Sequence, residues 1–155
     1  MHSPEQQLQK LGITLPKIPA PAGNFTPFIR HRDLLFFSGQ GPVLEDGSLA
    51  KGKVGMDVST EQAYEHARRT GLVLLSSMRE ALGSLDRIEQ IIKVLGMVNA
   101  TPDFNDHPKV INGCSDLFVE IFGDRGRHAR SAVGMGSLPG GITVEIEAIV
   151  AVRSD

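Results

Sequence analysis

Residues 88–98, Ile-Glu-Gln-Ile-Ile-Lys-Val-Leu-Gly-Met-Val, carry apolar side chains on both sides of one extended segment. In a period-two strand Ile91, Leu95 and Met97 face one side, and Ile92, Val94 and Val98 face the other. A strand that is apolar on both faces must be covered on both. The chain has 155 residues, enough for one domain, and two long helical patterns. Two helices can blanket one face of a sheet but not both, so a partner subunit is the expected second cover.

The helical patterns lie on either side of that strand. Asp57 or Ser59 can cap the first, with Glu61 or Gln62 in its first turn. Ala63, Ala67, Thr70 or Gly71, Leu74, Met78 and Leu82 then recur at three-to-four spacing up to Gly83, the early small residues allowing close approach to a sheet. The second spans 108–122, with Val110, Ile111, Cys114, Leu117, Phe118, Ile121 and Phe122 on one stripe, stopped by Gly123. Cys114 falls on that stripe and reads as a core thiol.

Before them, residues 4–11 form a short helix started by Ser3 and Pro4, which leans on the body. Pro16, Pro19, Pro21 and Pro27 make an extended lead-in. Phe28 to His31 reads as an edge strand, Asp33 as a turn, and Leu34 to Ser38 as a buried strand ending at Gly39-Gln40-Gly41-Pro42. Residues 43–56 form a loop. At the other end, Val144, Ile146, Ala148, Val150 and Val152 alternate with Thr143, Glu145, Glu147, Ile149 and Ala151. The turn chemistry of residues 136–141 suggests that this strand pairs as a hairpin with the short strand around His128 to Val133. The expected fold class is therefore α+β: one mixed sheet with two helices packed on one face, the other face apolar. Residues 1–15 are an extension and 16–155 a single domain.

In the hairpin pairing, Arg130 and Glu145 lie near the open end and are candidates to share one cleft. An arginine entering an otherwise apolar strand costs desolvation unless an anion meets it. Its planar fork suits a carboxylate. Two readings stay open on these residues alone. The two pair with each other as a structural ion pair, or Arg130 binds a substrate carboxylate while Glu145 handles a water. Around Arg130, the residues Arg125, Arg127 and His128 form a cationic cluster, either a solvated rim or a lure for small anions.

Other chemistries find little support. No phosphate-binding glycine fingerprint occurs, and the five histidines show no i,i+4 ligand spacing. Asp103, Asp106 and His107 read as a helix cap. Net charge is −2 and the aromatics number seven Phe, one Tyr and no Trp, so neither a basic field nor a stacking platform favours nucleic acid as a partner. The one cysteine and the lack of an apolar run long enough to span a bilayer lead to an expected cytoplasmic location without membrane association.

Ala129-Arg130-Ser131, followed fifteen residues after the arginine by Glu145 in Val144-Glu145-Ile146-Glu147-Ala148-Ile149, resembles the RidA/YjgF family of enamine/imine deaminases. Ser38-Gly39-Gln40, and Asn112 six residues ahead of Phe118, support the resemblance, which covers about residues 16–153. It implies a chorismate-mutase-like fold, a homotrimer with clefts between subunits, no cofactor, and hydrolysis of 2-enamine or 2-imino carboxylates to 2-keto acids and ammonia. Arg130 would hold the carboxylate and Glu145 would activate water. Gly39 and Ala132 would contribute backbone contacts, and Ser38, Asn112 and Phe28 would line the pocket. The chain departs from the family pattern in having Phe28 for the usual tyrosine, Ala132 for a frequent cysteine, and the variant Gly39-Gln40-Gly41-Pro42. A non-catalytic carboxylate-binding trimer and, behind it, an endoribonuclease are the alternatives.

Overall fold

The computed structural model describes residues 3–154; Met1, His2 and Asp155, and with them the outer limits of the expected 1–15 and 16–155 units, lie outside the described residues. The elements run α1 (Pro4–Lys10), β1 (Phe28–His31), β2 (Leu34–Gln40), α2 (Thr60–Leu82), β3 (Ile88–Asn99), α3 (His107–Phe122), β4 (Ala129–Met135) and β5 (Val144–Val152). The strands form one mixed sheet in the order β1-β2-β5-β3-β4. The helices α2 and α3 pack together over one face, the expected α+β arrangement.

Local signals explain the helices. Ser59 caps α2, its side chain accepting from the Gln62 amide while the Gln62 side chain accepts from the Ser59 amide. Such a capping box contributes about 1 kcal/mol. Gly83 ends the helix with φ 80°, a left-handed cap that only glycine adopts at little cost. The α3 stripe from Val110 to Phe122 is buried as its spacing predicts, Cys114 included, and burial pushes that thiol's pKa up. The small residue Gly71 faces α3 rather than the sheet, since a Cβ there would lie 2.9 Å from Leu117 and 3.2 Å from the Cys114 sulfur. On the facing helix, Gly113 brings the two backbones into contact: its Cβ would fall 2.0 Å from the Tyr64 carbonyl oxygen. Gly113→Ala is therefore expected to cost about 3 kcal/mol, the upper end for overpacking, lowering the denaturant midpoint at unchanged slope.

The N-terminal helix does more than lean on the body. Leu8 is 2% exposed within the core, and Glu5 takes a two-pronged bond from Arg79 (2.6 and 3.1 Å) and one from the Leu85 amide.

Two sequence expectations about the sheet are corrected. The strands β4 and β5 do not form a hairpin: β3 lies between them, parallel to β4 and antiparallel to β5. The link after β4 carries the chain back across the sheet, and β5 becomes the central strand, bonded on its other edge to β2. The alternation of β3 is also broken, by register shifts between Ile88 and Gln90 and between Ile91 and Lys93. Each shift inserts a residue and turns the following side chains over. Ile91 consequently joins Val94 and Val98 in the core, fully buried, while Ile92 is 40% exposed.

The sequence suggests an apolar face away from the helices; that face instead mixes apolar side chains with charged ones. Register places Ile29, Phe36, Ile149, Lys93 and Ala129 in one row across the sheet, with Glu147, Leu95 and Ser131 in the next and Glu145, Met97 and Val133 in a third. Ile29 (59%), Phe36 (42%) and Val133 (38%) remain exposed there. Among the described residues no helix is long and apolar enough to cross a membrane.

Candidate functional site

The new strand order separates the two residues that a hairpin would have joined. Arg130 sits opposite Val94 of β3, and Glu145 opposite Met97 on the other edge of the same strand. By strand geometry their Cα atoms lie roughly 14 Å apart. They also point to opposite faces: Val94 is buried beneath the helices, whereas Glu145 alternates with the buried Val144 and Ile146. Within one chain they form neither an ion pair nor a common cleft. Each sits in its own cluster, and the two together make up the candidate site.

The first half lies between β4 and α3. One guanidinium nitrogen of Arg130 donates to Asn112 Oδ1 at 2.8 Å and to Ser115 Oγ at 3.1 Å. Asn112 and Ser115 are three apart on α3 and so share a face. Their oxygens orient the guanidinium without neutralising it. Ser115 Oγ also meets His128 Nε2 at 2.9 Å, and His128 Nδ1 lies 2.7 Å from the Gly126 carbonyl, so Nδ1 carries the proton and Nε2 accepts from the serine. Burial holds the His128 pKa below its usual range, with Arg130 acting the same way and the Gly126 bond opposing. Ala132, two residues on, faces the same side as Arg130 and packs against the core.

Sequence reasoning found Arg130, Asn112 and Ala132 but missed Ser115. The signal available was its i+3 spacing from Asn112. The cationic cluster around Arg130 disperses: Arg125 donates to the Ile88 carbonyl, and Arg127 pairs with Asp124 at 3.3 Å. His128 is a half-buried, neutral support for the serine.

The second half is a recess of about 450 Å³ at the opposite edge of β5, which holds Glu145, Ser38 and Gly39. The register shift between Phe37 and Gln40 opens β2 there. Gly39 then makes room for the acid: a Cβ at this position would sit 2.5 Å from Glu145 Oε2. Ser38 Oγ donates to the Thr26 carbonyl at 2.6 Å and the Ser38 amide to Pro27 at 2.9 Å, so the hydroxyl clamps the proline-rich lead-in against the recess. Burial raises the Glu145 pKa, and the like charge of Glu147 adds to the rise. Neither influence is a donor or a cation, and a carboxylate in such a setting is a stronger base than a solvated one.

Phe28 lies in neither half. Its ring leans on Phe37 with centroids 6.1 Å apart, on the helix side of the sheet near the outer edge. Asp106 occupies the N-cap position of α3 without a side-chain bond to the helix, and its carboxylate sits 3.7 Å from Lys109.

A family model described as "YjgF/chorismate mutase-like, putative endoribonuclease" matches residues 5–141. The chain is 40% identical over 144 residues to Protein TCP17 of Trypanosoma cruzi, covering 92% of this chain and 90% of the relative. A crystal structure of a protein of unknown function from Agrobacterium tumefaciens superposes with a TM-score of 0.88 at 40% identity, covering 97% of this chain and 94% of the other. A 2-iminobutanoate/2-iminopropanoate deaminase of Dermatophagoides farinae is 26% identical over 145 residues, covering 91% of this chain and 95% of the relative.

Proposed function

Because the chain belongs to the YjgF/chorismate-mutase-like family, we propose that it hydrolyses 2-imino carboxylates to 2-keto acids and ammonia, in clefts assembled from two copies of the chain. The observation that carries the proposal is the separation just described. Arg130 is a half-buried cation held by two neutral oxygens, and Glu145 a half-buried carboxylate with a raised pKa. The two face opposite sides of one sheet, and among the described residues neither meets a counter-charge, which a small imino carboxylate and a second subunit would bring. A closed homotrimer would present one copy's β4 edge to the next copy's β5 recess and cover the exposed Ile29 and Phe36. The similarity to an iminobutanoate/iminopropanoate deaminase supports the same chemistry.

The reaction needs little from the protein. Arg130 fixes the substrate carboxylate through a charge-assisted fork. Glu145 takes a proton from water as the oxygen adds to the carbon of the protonated imine, giving a neutral carbinolamine. The same carboxyl then returns the proton to nitrogen, the C–N bond breaks, and the hydroxyl proton passes through Glu145 to the departing ammonia, which leaves as ammonium while the carbonyl forms. The backbone at Gly39 and Ala132 confines the reacting atoms, and orientation supplies the remaining advantage. This route uses no cofactor.

The test is direct. 2-Iminopropanoate generated from alanine by an amino-acid oxidase should disappear faster with the protein present, with matching release of ammonia. Loss at the spontaneous rate would refute the proposal and favour a carboxylate-binding trimer. The pH profile adds a second check. Glu145 works as a base only above its pKa, so activity falls on the acid side through a raised value. Glu147→Gln removes a like charge, lowers that pKa, and should move the acid limb of kcat/KM to lower pH. An unmoved limb would mean that Glu145 is not the titrating base.

A further inference from the structure

The recess around Glu145 is larger and more apolar than the smallest imino carboxylate requires. Its volume is about 450 Å³, room for roughly fifteen waters at ~30 Å³ each. Its walls are Pro19, Pro21, Phe25, Leu49, Pro139 and Ile142, and Glu145 is the one charged residue among those that line it. Phe25 and Leu49 stand 51% and 38% exposed at the rim, large apolar side chains that the core does not use. The clamp from Ser38 to Thr26 and Pro27 fixes the lead-in as a wall directly beside the reacting position.

Gly41 belongs to the same feature. Its backbone is not left-handed, so conformation does not demand glycine there. Space does: a Cβ would press on Ile142 Cδ1 at 3.0 Å and Leu49 Cδ2 at 3.4 Å. The departure Gly39-Gln40-Gly41-Pro42 thus keeps the floor of the recess open.

We infer that this recess receives the substrate's side chain and selects imino acids whose side chain is bulky, apolar and uncharged. The inference rests on the reading of the cleft as a 2-imino or 2-keto carboxylate site. With the carboxylate on Arg130 and C2 beside Glu145, the third substituent of C2 points along the recess. An acidic side chain would meet the Glu145 carboxylate, and a basic one would strand its remaining donors among proline, Phe25 and Ile142. A methyl group would leave water against apolar walls that give it few partners. Each added methylene that replaces such water is worth about tenfold in selectivity.

The experiment measures binding of stable 2-keto acids by calorimetry, separately from turnover. 4-Methyl-2-oxopentanoate should bind at least about tenfold more tightly than pyruvate, with 2-oxoglutarate weakest. Gly41→Val, and independently Leu49→Trp on the exposed rim, should each cut the ratio of the first two affinities at least about fivefold by filling the recess. Equal or tighter binding of pyruvate or 2-oxoglutarate, a ratio unmoved in both variants, or no binding of any keto acid would overturn the inference. The expected preference without consumption of any imine would refute the deaminase reading alone.

Discussion

Arg130→Ala is expected to lower kcat/KM for 2-iminopropanoate roughly a thousandfold, since each charge-assisted bond lost from a carboxylate costs about 1.5–3 kcal/mol. Stability should barely move. Among the described residues the guanidinium has no counter-ion, so its removal leaves no buried anion of theirs unpaired; it frees Asn112 Oδ1 and Ser115 Oγ to meet water in the open cleft. The thermal midpoint should therefore stay within a few degrees of wild type. Arg130→Lys keeps the charge but loses the fork, and an intermediate loss is expected. Retained turnover in the alanine variant would remove Arg130 from the mechanism. A collapse of the fold would instead mark it as a structural residue.

Glu145→Gln should lower kcat by roughly 10²–10⁴-fold, the usual contribution of a positioned general base, while making the folded chain more stable at neutral pH. The sign follows from the raised pKa. Burial, with Glu147 assisting, disfavours the charged form in the folded state. The charged carboxylate therefore costs stability at pH above its folded pKa, and the cost disappears as pH falls toward the ordinary carboxylate range. Glutamine removes the cost at neutral pH and gains nothing at low pH, so the two denaturation curves should converge on acidification. The comparison is cleanest in the Arg130→Ala background, where no guanidinium from a second copy offsets the penalty. A Gln variant that is less stable at neutral pH would show that the carboxylate is satisfied by a partner.

Which parts of this architecture could be read from the sequence follows from what each signal encodes. The α3 stripe, the Ser59–Gln62 box and the Gly83 cap are local, and α3 and the caps formed where the residues predicted. Strand identity was also local, and the alternation from Val144 to Val152 survives in the burial of β5. Pairing order was not. The turn residues 136–141 favour a reversal, but they do not specify that β3 takes the place beside β4. The two bulges in β3 have no glycine or proline to announce them, so Ile91 was assigned to the wrong face. Arg130 and Glu145 stood out because charged side chains in apolar strands need a reason, yet their separation depended on the long-range order. Phe28 is assigned to the pocket only through the resemblance, and within one chain its ring packs against Phe37.

The claim that the site is built from two copies can be tested by mixing inactive proteins. Arg130→Ala and Glu145→Gln chains, unfolded together in equal amounts and refolded, would reassemble at random. A site that takes its arginine from one copy and its glutamate from the next is then complete in about a quarter of the clefts. The account predicts recovery of about a quarter of wild-type imine hydrolysis, on the assumption of random closed assembly. Persistent inactivity, with mixed oligomers demonstrably formed, would contradict it.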